Sequence, residues 1–281
     1  MQIIDNIQAM QTFADNIRTQ RKTICFVPTM GFLHKGHISL LNEGRKQGDI
    51  LVLSIFVNPT QFAQGEDFET YPRNLHNDLK LAEEADVDVV FTPNAKDLYK
   101  KHYQTYVSLE QLPNHLCGIS RPDHFKGVAT IVTKLFNIVK PHKAFFGQKD
   151  FQQLAVIERM TMDLNLNIEI IGCPIVRESD GLAMSSRNTY LSEEQRQTAL
   201  CLYNSLKDVE MKVLSGILNV SKLKNETIKY ISSFPDTKID YVSICDPITL
   251  ENIKSIQGPF LIALAVFVGN TRLIDNMIII P

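Results

Sequence analysis

The sequence predicts an α/β protein: a Rossmann-like parallel sheet with helices on both faces, followed by a smaller C-terminal α+β domain. Three observations predict it. Short apolar, β-branched runs alternate with helical segments through the first two-thirds of the chain. One of those runs, 50–57, is continuously apolar rather than alternating, as in a strand covered on both faces. After about Arg187 the order changes to two helices followed by strands.

Residues 22–27 read as the first strand, which turns at Pro28-Thr29-Met30-Gly31. Residues 37–46 read as a helix with Ile38 and Leu41 on one side, and 50–57 as a buried strand stopped by Asn58-Pro59. A helix over 75–85 carries Leu75, Leu79 and Ala82 at helical spacing, and the strand 87–91 stops at Pro93. Val128, Ile131, Val132, Leu135 and Val139 mark an amphipathic helix over 128–139. A strand over 143–146, a helix over 151–162 and a strand over 168–171 complete the alternation. Ser192-Glu193-Glu194-Gln195 is a capping-box signature opening a long helix. A helix over 221–232 and strands over 238–244, 260–268 and 273–279 follow, with Asp246-Pro247 as a turn. The domain boundary falls in 175–188, giving a catalytic domain over 1–176 and a C-terminal domain over 177–281.

Composition excludes several function classes. The 281 residues are 44% hydrophobic and 21% charged, with 29 basic against 31 acidic side chains and a formal charge of −2. Nothing there draws a polyanion to the surface, so nucleic acid is not an expected partner. The five cysteines, Cys25, Cys117, Cys173, Cys201 and Cys245, form no CxxC pair, which argues against a zinc site or disulfide framework and for a reducing cytosol. Met1-Gln2-Ile3-Ile4-Asp5 lacks the pattern of a signal peptide. The longest apolar runs, 50–57 and 260–268, are far shorter than the ~20 residues a membrane span needs. A cytoplasmic location away from membranes is therefore expected.

The turn after the first strand is the first candidate site. Ligands of open parallel sheets bind at the carboxyl ends of strands, and a helix N-terminus offers unpaired N–H groups and positive potential to phosphate. Gly31 and Gly36 have P-loop spacing, but His37-Ile38 replaces the lysine and hydroxyl of that motif, and no GxGxxG occurs. What remains is His34-Lys35-Gly36-His37, an HxGH pattern. His34 and His37, three apart, point the same way, and imidazoles donate well to phosphoryl oxygens as charge builds. A metal site is disfavoured because no third ligand lies nearby.

Three further segments sit at comparable places. Gln61 lies just past the second strand, where an amide can read a hydroxyl and a carboxylate together. Gly147-Gln148-Lys149-Asp150 repeats the strand, glycine and helix-start design, with Asp150 either a helix cap or a ribose ligand. Met184-Ser185-Ser186-Arg187 offers two hydroxyls and a guanidinium to a triphosphate, on a segment flanked by Gly181 and expected to be mobile.

HxGH here resembles the HIGH-type signature of the nucleotidyltransferase superfamily, and Met184-Ser185-Ser186-Arg187 resembles its KMSKS-type loop. A series of blocks is similar to the pantothenate synthetase (pantoate–β-alanine ligase) family. They are Pro28-Thr29-Met30-Gly31-x-Leu33-His34-x-Gly36-His37, Ser54-Ile55-Phe56-Val57-Asn58-Pro59-x-Gln61-Phe62 and Tyr71-Pro72-Arg73. Then come Arg121-Pro122-x-His124-Phe125-x-Gly127-Val128, Phe146-Gly147-x-Lys149-Asp150-x-Gln152-Gln153 and Arg177-Glu178-x-Asp180-Gly181-Leu182-Ala183-Met184-Ser185-Ser186-Arg187-Asn188. They follow family order over roughly 25–190 without a departure at a motif position; the C-terminal third matches mainly in length and pattern.

The resemblance implies adenylation of the pantoate carboxylate by ATP, then attack of β-alanine on the pantoyl-adenylate to give pantothenate and AMP, with Mg2+ required and a homodimer as the assembly. It implies ATP contacts from Met30, Gly31, Phe32, Leu33, His34, Lys35, Gly36 and His37, from Gly147, Gln148, Lys149 and Asp150, from the Val176 backbone, and from Met184, Ser185, Ser186 and Arg187. Catalytic weight is expected on His37, His34, Lys149, Ser185, Ser186 and Arg187, with stabilisation of the leaving pyrophosphate the economical role for His37. Gln61 and Gln153 are expected on pantoate, with Asn58 and Arg121 as further substrate contacts. For Arg121 and Tyr71, loop stabilisation competes with substrate contact. Metal ligands are not readable. The runner-up is a small-molecule adenylyltransferase of the same superfamily; a nucleotide-sensing module that does not turn over ATP is the non-enzymatic alternative.

Overall fold

The computed structural model describes residues Met1–Pro281. The chain divides into two compact units. The first comprises Met1–Leu109, Arg121–Gln148 and Gln153–Pro174; the second comprises Glu110–Ser120, Lys149–Gln152 and Ile175–Pro281.

The first unit is built on six strands: β1 (Gln2–Ile4), β2 (Ile24–Thr29), β3 (Ile50–Ile55), β4 (Val89–Phe91), β5 (Lys143–Gly147) and β6 (Glu169–Cys173). Their order is β1-β4-β3-β2-β5-β6, and every pairing is parallel. From β2 the chain builds outward through β3 and β4 on one side, then returns to place β5 on the other. That reversal makes the carboxyl ends of β2 and β5 the topological switch point, where ligands of such sheets bind.

The helices are α1 (Ile7–Thr19), α2 (Lys35–Gln47), α3 (Leu75–Glu84), the single turns α4 (Ala95–Leu98) and α5 (Cys117–Ser120), α6 (His124–Val139) and α7 (Phe151–Asp163). Side chains of one strand leave alternate faces. Cys25, Val27, Leu51 and Leu53 therefore join Leu41, Ala82 and Phe145 in one core. Phe26 faces the other way and meets the Phe136 ring of α6 edge-on at 6.5 Å. Val52 of β3, paired with Phe26, is fully buried as well, so the apolar run of β3 is covered on both sides.

Among the elements that differ from the sequence reading are β1, α1 and α6. The opening β1–α1 pair is absent from it: β1 is three residues long, too short to show a period. Helix α6 begins at His124, a turn before its apolar periodicity becomes visible, because Asp123 takes a left-handed conformation (φ +66°) that starts the helix abruptly.

The second unit packs α8 (Glu193–Leu214) and α9 (Val220–Ser232) on an antiparallel sheet of β7 (Thr237–Cys245), β8 (Phe260–Val268) and β9 (Thr271–Ile279), ordered β7-β8-β9. Ser192 and Gln195 close the capping box that the sequence signals at the start of α8. Leu202, Leu206, Leu223, Ile231, Ile244, Phe260, Ile262 and Leu264 form its core. Gln152, on the first turn of α7, ties in residues 110–120: its amide donates to the Leu112 and His115 carbonyls and accepts from Cys117 N–H. No helix is long and apolar enough to cross a membrane.

Candidate active site

The turn from β2 into α2 is shaped by a carboxylate from a distant helix. Gly31 (φ +82°) and Phe32 (φ +51°) are both left-handed. A Cβ on Gly31 would lie 2.9 Å from both the Asp78 carboxylate and the Ile55 side chain, so glycine is required there for space as well as for conformation. Asp78, on α3 and only 1% exposed, accepts the Phe32 N–H through Oδ2 (2.9 Å) and the Leu33 N–H through Oδ1 (2.7 Å). Nothing in the local pattern of α3 singled this residue out.

The HxGH pattern folds as a capping box made of two imidazoles. His34 is the N-cap of α2; its Nδ1 accepts from Gly36 N–H at 3.1 Å, and His37 Nδ1 reaches back to accept from His34 N–H at 3.3 Å. The ring centroids are 4.1 Å apart, tilted by 37°. A nitrogen that accepts a hydrogen bond carries no proton, so each neutral ring holds its proton on Nε2. The pair therefore places two ring N–H groups at a helix N-terminus, where partial positive charge already favours an anion. Gly36, expected among the ATP contacts, has its N–H engaged by the His34 ring. Met30 and Lys35 flank this turn.

The next group surrounds Gln61, at the end of a 3-10 turn (Pro59–Gln61) after β3. A Cβ on Gly127 would come within 2.3 Å of the Thr60 carbonyl, so only glycine lets α6 approach this turn so closely. The Gln61 amide is held at both ends: Oε1 accepts from Asn58 Nδ2 (3.1 Å) and Nε2 lies 3.0 Å from Met30 Sδ. The structure thus brings Gln61 and Met30 together.

Asn58 stands differently from its expected role as a substrate contact. It is 1% exposed, and its amide is saturated by protein. Nδ2 donates to Gln61 and to the Gly127 carbonyl, while Oδ1 accepts from Thr60 Oγ1 and Tyr99 Oη. Through its bond to Oε1 it fixes the orientation of the Gln61 amide. Burial pushes the Tyr99 hydroxyl up to about 12, so it stays a neutral donor.

Arg121 forks onto Glu66, with Nε–Oε1 and Nη2–Oε2 distances both 2.6 Å, and also donates to the Gln61 carbonyl at 3.3 Å. His124 Nδ1 lies 2.8 Å from the same carbonyl. Burial alone would raise the Glu66 pKa, but hydrogen bonds and charge from Arg121 outweigh it and hold the carboxyl below its ordinary range. These bonds favour loop stabilisation over substrate contact for Arg121. Tyr71 is buried, its ring edge-on to Phe62 at 6.0 Å. Gly147 ends β5, the strand paired with β2, and Gln148 follows it.

In the second unit, Lys149 and Asp150 sit on a 3-10 turn ahead of α7, and the Lys149 carbonyl accepts from Asn276 Nδ2 at 2.9 Å. Residues 176–184 form a hairpin: Met184 N–H donates to the Val176 carbonyl (3.0 Å), and Arg177 bridges Ala183. Ser185 caps the following 3-10 turn by accepting from Arg187 N–H at 3.3 Å. Asn188 pins that turn to the Glu178 carboxylate and the Ala183 carbonyl, both at 3.1 Å. Gln153 lies on α7 in the first unit.

With this geometry in place, comparison with known proteins is direct. The family model described as Pantoate-beta-alanine ligase matches residues 2–278. The chain belongs to the pantoate–β-alanine ligase family. It is 56% identical over the full length of both chains to the pantothenate synthetase of Desulfatibacillum aliphaticivorans. It is 54% identical to that of Thermotoga petrophila, covering 99% of this chain and 100% of the relative. Among solved structures, pantothenate synthetase from Thermus thermophilus aligns over 100% of both chains, at 38% identity and a TM-score of 0.95. The pantoate–β-alanine ligase of Francisella tularensis, solved in complex with β,γ-ATP and β-alanine, aligns over 99% of this chain and 97% of its own, at 35% identity and a TM-score of 0.83. This chain is a ligase that joins pantoate to β-alanine.

Proposed function

We propose that the ligase works through a pantoyl-adenylate and that the residues above divide the labour as follows. A pantoate carboxylate oxygen attacks the α-phosphorus of ATP, and the bond to the pyrophosphate oxygen breaks. The amine of β-alanine then attacks the acyl carbon; the bond to the AMP oxygen breaks and the nitrogen loses a proton, leaving pantothenate.

The observation that carries this reading is the imidazole capping box. Two Nε2–H donors, fixed in tautomer by backbone N–H groups, suit an anion whose charge grows as pyrophosphate departs. In-line phosphoryl chemistry asks mainly for positioning and charge neutralisation. His37 and His34 supply that to the phosphates, with Met30, Gly31, Phe32, Leu33, Lys35 and Gly36 shaping the turn. Gln61 and Gln153 hold pantoate. In the second unit, Lys149, Ser185, Ser186 and Arg187 are assigned to the triphosphate, Asp150 to the ribose and the Val176 backbone to adenine.

The family also implies Mg2+. No group of three or more His, Cys, Asp or Glu side chains is arranged to hold a metal ion. A magnesium ion would be held by phosphate oxygens and water rather than by a protein cage, as is usual for this cation. A homodimeric, cytoplasmic enzyme completes the reading.

The test is exchange of labelled pyrophosphate into ATP. Exchange that requires pantoate and proceeds without β-alanine supports the adenylate. Net AMP release only when all three substrates are present, with no exchange at any pantoate concentration, would overturn it.

A further inference from the structure

Strand β9 carries two adjacent polar residues, Asp275 and Asn276, inside the run Leu273-Ile274-Asp275-Asn276-Met277-Ile278-Ile279. Both are buried, at 3% and 6% exposed. A buried carboxylate and a buried amide are costly without hydrogen bonds, so their partners explain their presence. Consecutive strand residues leave opposite faces of a sheet, so the two reach different partners.

Asp275 takes the Arg177 guanidinium as a fork: Nη1 donates to Oδ2 at 2.7 Å and Nη2 to Oδ1 at 2.9 Å. The same guanidinium donates to the Gly181 carbonyl (3.1 Å) and stacks over the Tyr203 ring with 4.2 Å to the centroid. Arg177 is the neighbour of Val176 in the hairpin that leads into Met184-Ser185-Ser186-Arg187. On the other face, Asn276 Nδ2 donates to the Lys149 backbone carbonyl at 2.9 Å.

We infer that Asp275 and Asn276 are positioning residues for ATP: from opposite faces of one strand they set the backbone of Lys149 and of the 176–187 segment. Neither touches nucleotide. Each fixes the main chain from which a phosphate or adenine contact projects, so both segments share one register on a sheet far along the sequence. The inference rests on the assignment of Lys149 to the triphosphate.

The test compares Asn276→Ala, Lys149→Ala and the double variant by KM for ATP and for pantoate in pyrophosphate exchange, and by calorimetric titration with a non-hydrolysable ATP analogue. Loss of one positioning hydrogen bond is expected to raise KM for ATP about tenfold in Asn276→Ala, with KM for pantoate unchanged. In the Lys149→Ala background the Asn276 change should add nothing, because it acts through that lysine. Asp275→Asn, which keeps the shape and removes the charge, should also raise KM for ATP alone. A folded Asn276→Ala enzyme with wild-type ATP affinity overturns the inference, as does an equal loss in the Lys149→Ala background. If Lys149→Ala itself leaves ATP affinity intact, the assignment of the lysine fails first and this inference falls with it. Should Asn276→Ala not fold, Asn276→Ser is read by the same criteria.

Discussion

The Asp78 carboxylate accepts the backbone N–H of Leu33 at 2.7 Å, across 45 positions of sequence. Its second oxygen takes the N–H of Phe32, so one buried side chain occupies two consecutive donors of the turn that leads into the histidines. Hydrogen bonds to a charged group contribute roughly 1.5–3 kcal/mol each. Asp78→Ala should therefore lower stability by about 3 kcal/mol and release the conformation of Phe32, raising KM for ATP as well. Asp78→Asn keeps an acceptor for one N–H but turns an NH2 toward the other, and should fall between. Urea unfolding together with ATP kinetics checks this. Wild-type midpoints in both variants would show the carboxylate to be incidental.

His37→Ala removes one of the two donors and opens the capping box at once. Loss of an oxyanion-type donor costs about 100–1000-fold in rate, so pyrophosphate exchange should drop on that scale while the far-UV spectrum is retained. His34→Ala should also weaken α2 by about 1 kcal/mol through loss of its N-cap. The tautomer is independently visible: nitrogen-15 spectra of labelled histidine should show both rings protonated on Nε2 at neutral pH. An Nδ1–H signal from either ring would contradict the hydrogen bonds that place backbone donors there.

Asn58 is expected to matter for pantoate without touching it. Replacing it with Ala removes the donor that fixes Gln61 Oε1 and leaves the Tyr99 hydroxyl and the Gly127 carbonyl without this partner. KM for pantoate should rise about tenfold, with KM for ATP little changed, and stability should fall by about 2 kcal/mol. Gln61→Ala should weaken pantoate use at least as much with a smaller stability cost, because Gln61 is less buried. Equal effects on both substrates in Asn58→Ala would mean that the turn had simply unfolded.

Those residues also mark how far the sequence was legible. The parallel sheet was readable because β3 and β5 are continuous apolar runs ended by Asn58-Pro59 and Gly147, local signals that need no knowledge of partners. HxGH was readable for the same reason: strand, turn and helix start lie within one short segment. What a polar side chain faces was not readable, because its partner is far along the chain. Asp78 sits on an amphipathic helix where a carboxylate ordinarily belongs to the solvated face, and the backbone it holds is 45 and 46 positions away. Asn58 and Arg121 lie in motif blocks that suggest substrate contact, with loop stabilisation the competing role for Arg121; the bonds that bear on the choice include those to Gly127 and Glu66, 69 and 55 positions distant. Asp275-Asn276 did leave a trace, two polar residues inside an apolar strand, which periodicity alone reads as a flaw.

The Glu66–Arg121 pair gives a pH dependence with a definite sign. Burial raises the Glu66 pKa, but the Arg121 hydrogen bonds and charge more than offset this and leave it lowered from 4.5. A carboxyl whose folded pKa is depressed stabilises the fold in its ionised form. That contribution is complete above about 4.5, the value in the unfolded chain, and is lost as pH falls through the lower folded value. Glu66→Gln should therefore be less stable than wild type at neutral pH, and the gap should hold down to about pH 5 and close below 4.5. Because Arg121 also holds the Gln61 carbonyl, the variant should show a raised KM for pantoate at neutral pH. Urea midpoints of both proteins measured from about pH 7 to about pH 3 decide the matter: a gap that stays constant through the acid range would place the effect on packing rather than on this ion pair.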